Sequence, residues 1–186
     1  MVPFAGYEMP VLYPAGILTE HNHTRAKASI FDVSHMGQVS LHGDNPAAAL
    51  ETLVPGDIAG LAAGRMRYTM FTNETGGILD DLMVTNVGDY LCLVVNADCK
   101  DADIAHLCAD LPGGSSGGRS GGIEVEVLDD RSLIALQGPA ASAVLARHAP
   151  GADTMPFMSA LPFEIDGSRL AVTRSGYTGE DGYEIS

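Results

Sequence analysis

Two stretches of this chain carry side chains able to do acid–base or recognition chemistry. The first is Gly76-Gly77-Ile78-Leu79-Asp80-Asp81-Leu82-Met83-Val84-Thr85, where two adjacent carboxylates interrupt an apolar strand. Charge in such a setting is costly unless hydrogen bonds or a partner compensate it. Side chains alternate across a strand, so one carboxylate is expected to meet solvent or a loop and the other a pocket. The Gly-Gly before the pair also admits a plainer role, capping backbone amides at a turn. The second stretch, Arg174 to Glu184, packs three glycines, two tyrosines and three carboxylates into eleven positions. Glycines let backbone approach a ligand closely, and tyrosines supply an aromatic wall with a polar tip. A carboxylate can accept two parallel hydrogen bonds from an amidine-like edge. A tight hairpin with solvated acids is the competing reading. No Lys follows, and the spacing fits neither GxxxxGK nor GxGxxG, so this is not a phosphate loop.

The elements that must position these residues read as follows. Thr19 to Ala28 is expected to form a short helix with Thr19 as N-cap. Gln38 to His42 alternates as a strand, and Asn45-Pro46 opens a helix that runs to about Leu53 and stops before Pro55-Gly56. Arg67–Thr72 and Ile78–Val87 read as paired strands joined by residues 73–77, and Tyr90–Val95 extends them to a three-strand meander. Asn96 or Asp98 then caps a helix to about Leu111, with Ile104, Leu107 and Cys108 at helical spacing. Residues 112–122, rich in Gly and Ser, read as a flexible surface loop. Strands are expected at 123–128 and 132–137, a helix from Gly138-Pro139 to about 148–150, and a hairpin at 163–175 turning on Asp166-Gly167. The class is α+β, with mainly antiparallel sheets flanked by helices. Gly182 to Ser186 reads as a strand under way, which suggests a fragment of a longer chain.

Composition narrows the function further. The 186 residues, 46% hydrophobic and 18% charged, suffice for one sizeable core or two small ones. No apolar run reaches the length of a membrane helix, and no charged-then-apolar leader opens the chain, so a soluble protein without membrane association is expected. A formal net charge of −14 with scattered basic residues argues against nucleic acid as a partner. Cys92, Cys99 and Cys108 form no Cys-x-x-Cys pair, which points to reduced thiols in a cytosol-like compartment and to no metal cluster. His21 and His23 lie two apart on a helix and face different ways, so no metal site is expected there.

Three segments together resemble one family. Phe31-Asp32-Val33-Ser34-His35-Met36-Gly37, Gly76 to Leu82 and the Arg174–Glu184 run are similar to the aminomethyltransferase (T-protein) of the glycine cleavage system. Phe4-Ala5-Gly6-Tyr7-Glu8-Met9-Pro10 and Ala135-Leu136-Gln137-Gly138-Pro139 add two further blocks in the same order. The resemblance covers essentially the whole chain and its N-terminal half of the family. It implies a three-domain cloverleaf, with residues 1–39 and 129–186 in an incomplete first domain, 40–128 as an inserted ferredoxin-like second domain, and the third domain absent. It implies transfer of a methylene group from the aminomethylated lipoyl arm of H-protein to tetrahydrofolate, with release of ammonia. The compartment it implies is the cytoplasm, or the mitochondrion in a eukaryote.

Carried across position by position, the resemblance makes Asp81 the catalytic carboxylate, desolvated and near the folate amines, and leaves Asp80 structural. Glu184 matches the acid that grips the pterin edge, and Tyr177 a tyrosine beside the folate. Asn96 matches a polar pterin contact, Tyr68 a tyrosine near the same pocket, and Met36 a cavity-lining position. From their neighbours alone, Tyr68 is equally a core residue, Asn96 a helix N-cap and Met36 filler. His35 is given no chemical step. Thr85 stands where relatives can have an aromatic, which removes any stacking contact there. Two alternatives share the fold: the folate module of a sarcosine or dimethylglycine dehydrogenase, and a non-enzymatic folate-binding iron–sulfur assembly factor. With half the fold missing, the 186 residues alone are expected to show weak activity or none.

Overall fold

The computed structural model describes residues 1–112 and 122–186. Residues 113–121, most of the expected Gly/Ser loop, lie outside the described residues. Contacts divide the chain into two units, Met1–His35 with Ser132–Ser186, and Met36–Arg131.

The first unit opens with a hairpin of β1 (Val2–Phe4) and β2 (Tyr7–Met9). The helix α1 spans Ile17–Ala26, two residues earlier than its expected start at Thr19. The amide of Gly16, which bonds Tyr13 O, sets the N-terminus, and Thr19 lies inside the helix. Residues after Ala26 are drawn into β3 (Ser29–Asp32), which pairs with a strand of the C-terminal segment.

The second unit runs β4 (Gly37–His42), α2 (Pro46–Leu50), β5 (Met66–Thr72), β6 (Ile78–Asn86), β7 (Leu91–Val95), α3 (Lys100–Asp110) and β8 (Glu124–Val127). Its sheet has the order β5-β6-β7-β4-β8, antiparallel throughout. Alternation sends Val39, Leu41, Leu82, Val84, Leu93 and Val95 to one face, where they bury against Leu50 and Leu107 of the two helices. Asn45 caps α2 through its Oδ1, which accepts from Ala48 N at 3.3 Å. Regular helix ends at Leu50 rather than Leu53, and turn bonds continue to Val54. The β5–β6 turn is knit by Asn73 Oδ1, which accepts from the amides of Thr75 and Gly77 at 3.1 and 2.8 Å. Neither Asn96 nor Asp98 caps α3, whose N-cap position is Cys99.

The chain then completes the first unit with β9 (Ile134–Gln137), α4 (Ala141–Leu145), β10 (Ser159–Ile165), β11 (Ser168–Arg174) and β12 (Gly182–Ile185). The sheet order is β10-β11-β12-β9-β3, again antiparallel. Asp166 (φ 50°) and Gly167 (φ 79°) close the β10–β11 hairpin with two left-handed residues, as an Asp-Gly turn between strands demands. One face buries Leu136, Val172 and the fully buried Tyr183 against Ala141 and Leu145 of α4. The Tyr183 hydroxyl donates to Ala152 O at 3.1 Å, which satisfies the polar end of a core aromatic. The helix expected from residue 138 begins at Ala141, because Gly138 is the turn itself, at φ 127°.

Gly138 also lies where a Cβ would collide with the carbonyls of Lys27 and Thr24. Gly167 has a positive φ but open space around it. Gly138→Ala is therefore expected to cost more than about 2 kcal/mol and Gly167→Ala only about 1 kcal/mol. Urea unfolding of both variants tests this, and equal losses would remove the backbone contact as a constraint.

Candidate functional site

The β5–β6 register decides where the two central carboxylates go. Asp81 pairs with Met70, and Tyr68 with Met83, so Asp81 and Tyr68 share the face opposite the helices. Asp80 shares the face of Leu82 and Val84 and meets Asn96, Cys99 and Asp103 at the start of α3. Both carboxylates are half-buried. Tyr68 is 58% exposed, so it is not a core residue. A hydrogen bond between its hydroxyl and Asp81 is the main cause that raises its pKa, followed by desolvation and the Asp81 and Asp80 charges.

Asn96 bridges the pair. Its Nδ2 donates to Asp80 Oδ1 at 3.1 Å and to Asp81 O at 3.1 Å, with Asp80 Oδ2 and Asp81 Oδ1 both at 3.3 Å. The Asn96 amide thus serves the carboxylates and not the helix amides. Leu82 pairs with Val95, which brings the next residue of β7's chain beside Asp81. Met36 is half-buried just ahead of β4.

Sequence reasoning missed Asp103, which is 4% exposed. Desolvation, a hydrogen bond to Asp80 and the charges of Asp80 and Asp81 raise its carboxyl to about 7. A signal was present: Asp103, Leu107 and Leu111 recur every four residues, and all three are buried. An acid heading an apolar helical stripe points inward.

In the first unit, Glu184 pairs with Thr173 on one side and Ala135 on the other. It is 7% exposed, and its Oε2 accepts from Ser175 Oγ at 3.4 Å. Desolvation pushes its carboxyl up to about 7, against the Ser175 hydrogen bond. The acids of the 174–184 run are not simply solvated. Asp181 accepts from Arg174 Nε and Nη2 at 2.9 and 2.7 Å, and Glu180 pairs with Arg25 at 3.1 Å. Among the described residues, Glu184 has no cationic partner. Tyr177 is 58% exposed by area and its amide donates to Gln137 Oε1 at 3.1 Å. Desolvation and then the Glu184 charge raise its phenol. His35 packs edge-on against Phe4 at 5.6 Å and near Tyr7 at 6.1 Å.

Each unit therefore brings part of the expected set together: Asp81, Asn96 and Tyr68 in one, Glu184 and Tyr177 in the other. A hollow of about 560 Å³ beside α1, lined by Tyr13, Ile17, Glu20, Phe31 and Thr178, takes none of them. The chemistry favours the hydrogen-bonded carboxylates over that hollow as the functional groups. Among the described residues, no group of three or more His, Cys, Asp or Glu side chains is placed to hold a metal ion. No helix among them is long and apolar enough to cross a membrane.

Two antiparallel sheets with few helices, each presenting a partly or fully buried acid, define an α+β protein of the T-protein fold class. A family profile described as GCVT N-terminal domain matches residues 1–186. The chain belongs to that family. It is 46% identical to the mitochondrial aminomethyltransferase of Dictyostelium discoideum over 188 residues, covering 100% of this chain and 47% of that protein. The human mitochondrial aminomethyltransferase is 46% identical over 189 residues, covering 100% and 46%. The crystal structure of the glycine cleavage system aminomethyltransferase T from Bartonella henselae superposes with a TM-score of 0.85 at 43% identity, over 99% of this chain and 48% of that one. A heterotetrameric sarcosine oxidase from Corynebacterium sp. U-96 shares the fold at a TM-score of 0.55 and 21% identity, over 89% and 80% of the two chains. The chain spans about half the length of the curated relatives it matches.

The Glu184 shift has a sign that can be measured. Its folded pKa lies above the ordinary 4.5, so the folded state holds the proton longer than the unfolded state. Stability that Glu184 leaves intact below pH 4.5 is lost as pH rises toward about 7. Glu184→Gln is expected to flatten that slope and to be the more stable protein at pH 8, by on the order of 1–3 kcal/mol. Unfolding curves of both proteins at pH 5 and pH 8 check it; no pH-dependent difference would refute the buried-acid reading.

Proposed function

We propose that the complete protein is a tetrahydrofolate-dependent aminomethyltransferase of glycine cleavage. It takes its one-carbon group from the aminomethylated lipoyl arm of H-protein and releases ammonia. The similarity to aminomethyltransferases across the full chain supports this, and the observation that carries it is Glu184. A carboxylate this deeply buried, held among the described residues by one long hydrogen bond and no cation, is an acceptor awaiting donors. The 2-amino and N3–H edge of a pterin supplies two parallel donors of the required kind. Tyr177 would stand beside the ring, and Asn96, Tyr68 and Met36 are the folate contacts proposed within the second unit.

When bound, tetrahydrofolate supplies the nucleophilic amines. Asp81 then has the acid–base role: its carboxylate accepts the amine proton, and its orientation is set by the Asn96 amide and the Tyr68 hydroxyl. The residues 1–39 and 129–186 would belong to the first domain and 40–128 to an inserted ferredoxin-like one, with a third domain beyond this chain. We place the protein in the cytoplasm, or the mitochondrion in a eukaryote, without membrane or nucleic-acid partners.

In the complete protein, Asp81→Asn is expected to lower folate-dependent ammonia release about 100-fold or more while tetrahydrofolate affinity stays nearly unchanged. Retained turnover would reject the role of Asp81. Glu184→Gln is expected to weaken tetrahydrofolate binding about 10-fold or more, as a charge-assisted pair is replaced by a neutral contact. Titration calorimetry reads this, and unchanged affinity would move the pterin edge elsewhere.

A further inference from the structure

Asp103 is the buried ionisable group that the proposed mechanism leaves unused. It sits in the first turn of α3 at 4% exposure, and its Oδ2 is buried and receives no hydrogen bond from any described residue. What faces it is a second acid, Asp80; after burial, a hydrogen bond between the two carboxyls is the largest cause that raises Asp103. Two carboxylates offer only acceptors to each other, so that hydrogen bond exists only if a proton lies between them. The charges that bear on Asp103 are those of Asp80 and Asp81 on β6, and the Cys99 thiol beside it is flanked by Asp80 and Asp98. His106, one turn along, is engaged by Asp110 at 2.8 Å. The N-terminus of α3 favours an anion, yet burial and the two neighbouring acids outweigh it and raise the group to about 7.

Asp80 is in turn tied to the proposed catalytic acid. The Asn96 Nδ2 group reaches Asp80 Oδ1 at 3.1 Å, Asp81 O at 3.1 Å and Asp81 Oδ1 at 3.3 Å. We propose that Asp103 is a positioning residue that shares a proton with Asp80, and that this proton fixes Asp80, Asn96 and thereby the Asp81 carboxylate. The inference rests on the reading of Asp81 as the reacting acid. The proton stays within the pair: Asp103 O–H donates to the Asp80 carboxylate, and no net charge leaves the site. Losing the proton puts two adjacent anions beside Asn96. The amide then turns toward them and releases Asp81.

Three proteins test this in complete form: the wild type, Asp103→Asn and Asp103→Leu. Asp103→Asn keeps the shape and a donor toward Asp80 at every pH, whereas Asp103→Leu removes the donor. The wild type is expected to lose kcat as pH rises through about 7, with the folate KM little changed. Asp103→Asn is expected to keep kcat within about 3-fold at pH 6.5 and to lose that alkaline limb, and Asp103→Leu to fall about 10-fold or more in kcat. An identical pH profile for wild type and Asp103→Asn would overturn the positioning role. Infrared difference spectra of the protein isotope-labelled at its aspartate carboxyls alone, which sets Glu184 apart, read the proton directly: a protonated aspartate band present at pH 6, lost at pH 9 and absent in Asp103→Asn. Absence of that band in the wild type would overturn the shared proton, whatever Asp81→Asn does to turnover. Circular dichroism of Asp103→Leu separates a folding defect from a kinetic one, and the Asn profile decides the case even if Asp103→Leu does not fold.

Discussion

The Asn96 amide nitrogen lies within 3.3 Å of oxygens from both central acids, and the arrangement of the second unit's site depends on that contact. Asp80 and Asp81 carry the same charge and cannot compensate each other, and adjacent residues on a strand diverge, so they need a donor that reaches both. Asn96 does so from the end of β7 because the Leu82–Val95 pairing sets it beside Asp81. That register is held by apolar burial, with Leu82, Val84, Leu93 and Val95 all packed under the helices. A slip of one residue would exchange the two acids between faces and turn Leu82 and Val84 out of the core.

The same logic governs the acid of the first unit. Tyr183 is fully buried against α4, with its hydroxyl satisfied by Ala152 O. Its neighbour Glu184 must therefore project from the opposite face, beside Thr173 and Ala135. Arg174 and Arg25 are occupied by Asp181 and Glu180, so no described cation neutralises Glu184. The loop between β11 and β12 spends its ion pairs on its own shape and leaves one acid without a counter-ion. Such an arrangement costs stability at neutral pH and is the usual signature of a group kept for a ligand.

Much of the fold was legible. The alternation of β4 and β6, the Asp-Gly hairpin and the Asn45-Pro46 helix start each rest on local rules that tertiary packing did not override. Misplaced boundaries came from competition between neighbours. Thr19 lost the N-cap because Gly16 turned the chain earlier, and Gly138 became a turn because only a residue without Cβ fits against Lys27 O and Thr24 O. Asn96 is not the cap because α3 starts at Lys100 with Cys99 in the N-cap position, and its Nδ2 group donates to the two carboxylates instead.

The sequence by itself determined which residues are apolar and at what period, and so the two antiparallel sheets and the faces each strand presents. It also determined the family, through blocks spread from Phe4 to Glu184. Only the tertiary structure decided which acids are strained. Asp103 and Glu184 have ordinary neighbours in sequence; burial raises both carboxyls, and Asp80, on a strand distant in sequence, raises Asp103 further. Desolvation and through-space charge depend on what surrounds a side chain in three dimensions, and a linear order of residues does not contain that.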